Sequence, residues 1–226
     1  MQVAPGVYAI QAVGSMAYLL GGVDLSLIDT GGPGSASRIL RYIRRLERDP
    51  RELTRILLTH VDLDHVGTLA ALVRATGARV HAHPEALRRV FAGNIPTGQR
   101  GWRSTVTRLR RVFFPVGPVA EGEPLADGLE LPVLGGLEAI FTAGHSPDHV
   151  AYFLRRSRLL WAGDLLRVSR GHLEAVPGPT PRQRQQTVAA LRRLAGLDPL
   201  VVLPGHGPAF RDNIALRLVR QAEILE

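Results

Sequence analysis

Two residue types are missing from this 226-residue chain: it has no cysteine and no lysine. Without cysteine, disulfides and thiolate ligands are excluded, so any bound metal must be held by histidine and carboxylate. Without lysine, every basic side chain other than histidine is an arginine. No apolar run approaches the ~20 residues of a membrane-spanning helix, so no membrane partner is expected. The opening Met1-Gln2-Val3-Ala4-Pro5-Gly6 has neither the basic start nor the apolar core of a signal peptide, and a cytoplasmic location is the expectation. There is no Gly-x-Ser-x-Gly elbow and no convincing Ser-His-Asp set. A side-chain nucleophile is therefore not the economical reading.

What is present is an ordinary globular composition, 45% hydrophobic, long enough for one large domain or two small ones. The net charge is +8. The arginines are spread along expected helices, as in Arg38, Arg41, Arg44, Arg45 and Arg48, or Arg182, Arg184, Arg192 and Arg193. That spread reads as a solvated surface that would attract an anionic small-molecule substrate. No aromatic-basic platform points to nucleic acid.

The chain opens with three apolar segments, Val7–Ile10, Ala17–Leu20 and Leu25–Ile28, separated by Gly14 and Gly21-Gly22, which predict three successive strands. Ser35 can cap a helix to about Arg48, with Ile39, Leu40, Ile43 and Leu46 on one face. A strand at 54–58, a helix at 67–76, a strand at 79–82 and a helix from Pro84 follow. His81 and His83 read better as a strand-end histidine and a helix N-cap than as ligands. Residues 93–128 are rich in Gly, Pro and Arg; Trp102, Val106, Leu109 and Phe113 have helical spacing, so this insertion either roofs a pocket or packs on the surface. A second strand-rich half follows: strands at 129–134, 137–142, 150–155 and 158–162, a helix after Thr180-Pro181, a strand at 200–203 and a last helix from about Asp212. The repeated plan suggests two packed sheets covered by helices on both sides.

The chain is organised around Thr59-His60-Val61-Asp62-Leu63-Asp64-His65. Four metal-type side chains fall within six residues, directly after the buried run Ile56-Leu57-Leu58. His60 and Asp62 at the strand end can share one space, and Asp64 and His65 at the next helix start can reach a second point; two metal ions would use all four. Three further sites have the same setting: His145 after strand 137–142, Asp164 after Leu159-Leu160-Trp161, and His206 after strand 200–203, each preceded by glycine. Asp29, leaving the third strand, is either a turn-starter or a carboxylate that orients the ligands.

These pieces, Asp29-Thr30-Gly31, Thr59 to His65, Gly144-His145-Ser146-Pro147, Gly163-Asp164 and Pro204-Gly205-His206-Gly207, resemble the metallo-β-lactamase-fold hydrolase superfamily, in family order and over nearly the whole chain. The resemblance implies an α+β fold, a four-layer αββα sandwich of two mixed sheets flanked by helices, as a single domain over 1–226. It implies one metal held by His60, Asp62 and His145, a second held by Asp64, His65 and His206, and Asp164 bridging, with His149 in a supporting position. The family usually writes His-x-His-x-Asp-His, and this chain has Asp62 where the second histidine belongs. With Asp62, three carboxylates and a hydroxide neutralise two divalent ions, whereas the usual histidine leaves one positive charge. A less positive centre should raise the bound water's pKa above the ~7 of catalytic zinc. Zinc is the expected metal, and the extra oxygen ligand admits manganese or iron.

The reaction expected is hydrolysis of an ester, thioester or lactone by a metal-bound hydroxide that Asp64 orients and whose proton Asp64 collects once it has added to the substrate, as in the glyoxalase II-like members that share the Pro-Gly-His-Gly ending. Alternatives are an iron-dependent oxidoreductase resembling the sulfur dioxygenases, supported by Asp62, and a phosphodiesterase or nuclease.

Overall fold

Alternation of apolar residues with tight glycine turns builds the first sheet. The computed structural model describes residues 1–96, 117 and 119–226. These form two compact units, Met1–Pro124 and Leu125–Glu226.

The first unit contains a seven-stranded mixed sheet in chain order: β1 (Gln2–Ala4), β2 (Val7–Gln11), β3 (Met16–Leu20), β4 (Leu25–Ile28), β5 (Leu53–Leu57), β6 (Arg79–Ala82) and β7 (Gly122–Pro124). Pairing is antiparallel up to β4 and parallel from β4 to β7. Helix α1 (Ala36–Arg45) buries Ile39 and Ile43, one turn apart. Helix α3 (Leu69–Thr76) ends at Gly77 in the left-handed region, φ 75°. Helix α4 (Pro84–Phe91) starts with His83 Nδ1 accepting the Glu85 N–H at 3.1 Å. Their apolar faces join Leu27, Leu53, Ile56 and Val80 in one core. The one-turn helix α2 (Leu63–Val66) carries Asp64 and His65.

The second unit contains six strands: β8 (Glu130–Leu131), β9 (Leu137–Phe141), β10 (Val150–Leu154), β11 (Leu159–Ser169), β12 (His172–Ala175) and β13 (Val201–His206), ordered β12-β11-β10-β9-β8 with β13 parallel to β11. Helix α5 (Pro181–Ala195) starts at a capping box, Thr180 with Gln183, and has Pro at its first turn. With α6 (Ile214–Leu225) it buries Leu191, Leu194 and Leu218 against Phe153, Leu160 and Val202.

Each unit thus has a sheet with attached helices, the expected α+β class. Several boundaries differ from the sequence reading. The strand expected at 129–134 is only Glu130–Leu131. Asp164 lies inside β11 rather than after a strand, and His206 is the last residue of β13. β11 continues because apolar residues resume after the interruption; at Gly163 the backbone turns to φ 48° and the ladder with β13 shifts register. Such a bulge re-aims a side chain without ending a strand. The helix expected around Trp102 to Phe113 lies outside the described residues.

Candidate metal centre

The first donor loop leaves the C-terminal end of β5. Its geometry is fixed by Asp29, which sits just past β4 with φ 56°, and whose N–H donates to Leu57 O at 2.9 Å. This buried carboxylate receives three bonds. Oδ1 accepts the Thr59 N–H at 2.9 Å, and Oδ2 accepts the Thr59 hydroxyl at 2.7 Å and lies 2.8 Å from His65 Nδ1. His65 Nδ1 therefore carries the proton, and its Nε2 carries a lone pair. The same logic extends one residue further. The single Thr59 hydroxyl proton goes to Asp29, so at the 3.0 Å contact with His60 Nδ1 the hydroxyl can only accept. His60 is then also the Nδ1–H tautomer with its lone pair on Nε2. One carboxylate and one hydroxyl set the tautomer of both histidines, and a hydrogen bond from the far ring nitrogen is the usual support of a ligating imidazole.

Both rings are fully buried, with centroids 4.2 Å apart. Asp62 occupies the N-cap of α2 but makes no side-chain capping bond, and its Oδ2 lies 3.7 Å from His60 Nε2. Its carboxylate is spent near the imidazole, not on the helix. Asp64 is anchored through its backbone: Ser15 Oγ donates to Asp64 O at 2.6 Å, and a Cβ on Gly14 (φ 87°) would stand 2.7 Å from Asp64 Cβ. Only glycine fits this turn. The Thr30 N–H and hydroxyl both donate to His65 O, at 2.7 and 2.9 Å.

In the second unit Asp164 is the focus. Its Oδ2 lies 3.1 Å from His206 Nε2 and 3.9 Å from His145 Nε2, an arrangement suited to a carboxylate shared between two histidines. His145 Nδ1 lies 3.2 Å from Val176 O and donates to it, again leaving Nε2 as the donor atom for a metal. The His145 loop is seated on α5: Gln183 Nε2 donates to His145 O, and a Cβ on Gly144 would fall 2.4 Å from Thr187 Oγ1. His149 is spent differently. Its Nε2 accepts the Asp164 N–H at 3.2 Å, so its Nδ1 donates to Thr142 Oγ1 at 2.8 Å. Both ring nitrogens of this fully buried histidine are thus engaged, one on the Asp164 backbone and one on the Thr142 side chain.

All the expected donors are therefore in ordered positions: His60, Asp62, Asp64 and His65 in the first unit, and His145, Asp164 and His206 in the second, and these histidines and aspartates are available to hold divalent metal. Imidazole and carboxylate form a donor set that zinc, manganese and iron all accept. Sequence reasoning gave no role to Thr59, Ser15 or Thr142. A hydroxyl residue directly before or seven residues before a candidate histidine is the signal that marks Thr59 and Thr142.

A model of the metallo-β-lactamase superfamily matches residues 11–206, running through both units. The "Probable metallo-hydrolase YflN" of Bacillus subtilis is 25% identical over 196 residues, 80% of this chain and 74% of that protein. The "Thioesterase pkgB" of Emericella nidulans is 28% identical over 206 residues, 89% of this chain and 48% of that protein, so the chain spans about half that fungal relative. Among solved structures, the metallo-β-lactamase family protein TTHA1429 of Thermus thermophilus has a TM-score of 0.73 at 27% identity, covering 99% of this chain and 79% of that one. TTHA1623 in a di-iron-bound form has a TM-score of 0.68 at 28% identity, covering 94% and 97%. With its fold, its ordered motifs and this match in agreement, the chain belongs to the metallo-β-lactamase superfamily.

Proposed function

We propose that the protein is a metal-dependent hydrolase of an ester, thioester or lactone. The observation that carries this reading is the reach of Asp29, directly to His65 and through Thr59 to His60: both rings are held as Nδ1–H tautomers, and the Nε2 lone pair of His60 lies beside the Asp62 carboxylate. Such pre-set imidazoles serve metal ligation. By superfamily position, His60, Asp62 and His145 would hold one divalent ion and Asp64, His65 and His206 a second, with Asp164 as a further donor. Bound metal supplies Lewis acidity and water of lowered pKa. The chain's own part is to hold these donors, to orient the attacking water with the Asp64 carboxylate, and to take up its proton there. His149 keeps Asp164 in register through the Asp164 N–H. The thioesterase name carried by the Emericella relative supports a thioester over a β-lactam as the acyl donor.

Asp62 also favours a second reading. An added oxygen donor suits iron, and TTHA1623 is described in a di-iron form. An iron-dependent oxidoreductase would consume oxygen with a persulfide substrate.

The test is a panel of aryl esters, acyl thioesters and lactones, assayed on the protein as purified, after chelation, and after reloading with zinc, manganese or iron. Hydrolysis that vanishes on chelation, returns on reloading and falls at least a hundredfold in D64N supports the proposal. Hydrolysis indifferent to chelation overturns it.

A further inference from the structure

The first unit also contains a cavity of about 420 Å³ at the N-terminal ends of parallel strands β4, β5 and β6. The His60 loop leaves the opposite, C-terminal end of β5, so this cavity is not the site described above. Its walls include Asp24, Arg51, Arg55, Arg79, His81 and Glu123. Parallel register explains the grouping. Arg55 pairs with Arg79 and His81 with Glu123, and direct neighbours in adjacent strands point to the same sheet face.

Three guanidinium groups here meet two carboxylates. Arg79 is matched by Glu123 at 2.6 Å, while Arg55 lies 3.6 Å from Asp24, beyond hydrogen-bond range. The Arg51 guanidinium has no ion-pair partner among the described residues. The His81 ring is buried, with residue exposure of 7%, and makes no hydrogen bond among the described residues; its Nδ1 lies 3.5 Å from Glu123 Oε2. A concave pocket that gathers Arg55, Arg79 and a buried imidazole from the sheet and Arg51 from the turn before β5 has a donor surplus. Guanidinium forks match phosphate oxygens two at a time, and the volume falls within the about 300–1,000 Å³ of small-molecule pockets.

We propose that this cavity binds a small phosphate-bearing molecule, with Arg51 and Arg55 as its principal contacts and His81 as a further donor. The ligand's phosphate would draw Arg55 from its loose pairing with Asp24 and engage the uncommitted Arg51.

Calorimetric titration with pyrophosphate tests this, on the protein as purified and after chelation, since phosphates also bind metal centres. The expected result is saturable binding whose affinity is unchanged by chelation. R51Q, a surface change with no ion pair to break, should weaken binding about tenfold, the scale of one charge-assisted contact. R55Q should weaken it further, with an unaltered circular dichroism spectrum. Citrate at the same concentration should bind at least tenfold more weakly. Three results would overturn the proposal: no binding at millimolar pyrophosphate, binding that disappears with the metal and ignores R51Q, or citrate binding as tightly as pyrophosphate.

Discussion

Asp29→Asn removes one charge and changes no heavy-atom count, and it probes the tautomer relay directly. The native carboxylate accepts three bonds and donates none: Thr59 N–H, Thr59 hydroxyl and His65 Nδ1–H. Asparagine offers one accepting oxygen and one NH₂ group. If the oxygen takes the Oδ2 position, it satisfies His65 and the Thr59 hydroxyl, but NH₂ then faces the Thr59 N–H. Leaving that buried donor unpaired costs about 1–3 kcal/mol. If NH₂ takes the Oδ2 position, His65 must move its proton to Nε2, and the Thr59 hydroxyl must turn its own proton toward His60 Nδ1. Both histidines then carry the proton where a metal would bind. Changes to partners that orient metal ligands typically cost 10–100-fold in metal affinity. D29N is therefore expected to bind zinc 10–100-fold more weakly in competition with a chromophoric chelator, and to melt at lower temperature. The tautomers can be read from the ring ¹⁵N shifts of His60 and His65. Wild-type zinc affinity together with an unchanged melting temperature would refute the relay.

Gly14→Ala should destabilise the first unit by about 1–2 kcal/mol or more, the cost of a left-handed alanine, and should also displace Asp64, because the added Cβ meets its side chain at 2.7 Å; chemical denaturation and metal affinity check both effects. Thr180→Ala removes the capping box of α5 and should cost about 1 kcal/mol, seen as a fall of about 2–4 °C in melting temperature. His81 gives a pH dependence. Burial lowers its pKa, with Glu123 opposing, so the folded ring stays neutral while the unfolded chain takes up a proton near pH ~6.5. Its contribution is intact above that value and is lost as pH falls below it. In urea melts between pH 8 and 5, H81Q should show a shallower acid-side loss than wild type, and an equal slope would count against this origin.

Much of the fold is legible because burial is periodic. The apolar runs of β2, β3, β4, β5 and β10 predict strands within one or two residues of those observed. The Thr180-Pro181 start and the Gly77 stop work because capping geometry is local. His83 is a cap and His81 a strand residue, as a plain reading of each suggests. The strands that escape the sequence are those that violate propensity. β12 is formed by a two-residue hairpin at Arg170 and Gly171, with φ 49° and 79°, and arginine does not advertise a left-handed turn as asparagine does. β7 is Gly-Glu-Pro, two of its residues depleted in strands, and it is tolerable only at a sheet edge. The candidate donors are visible because histidine and aspartate cluster after buried runs. The hydroxyls that fix the His60 tautomer and brace His149 are not, because Thr59 and Thr142 act through side-chain bonds that periodicity does not encode.

The most direct measurement is the metal content of the protein by elemental analysis, as purified and after soaking with zinc and dialysis. About two divalent ions per chain are expected, a stoichiometry that falls when His60 or Asp164 is replaced by alanine. Protein that retains no metal after soaking, or keeps it unchanged in those variants, would contradict the assignment of these residues to a metal centre.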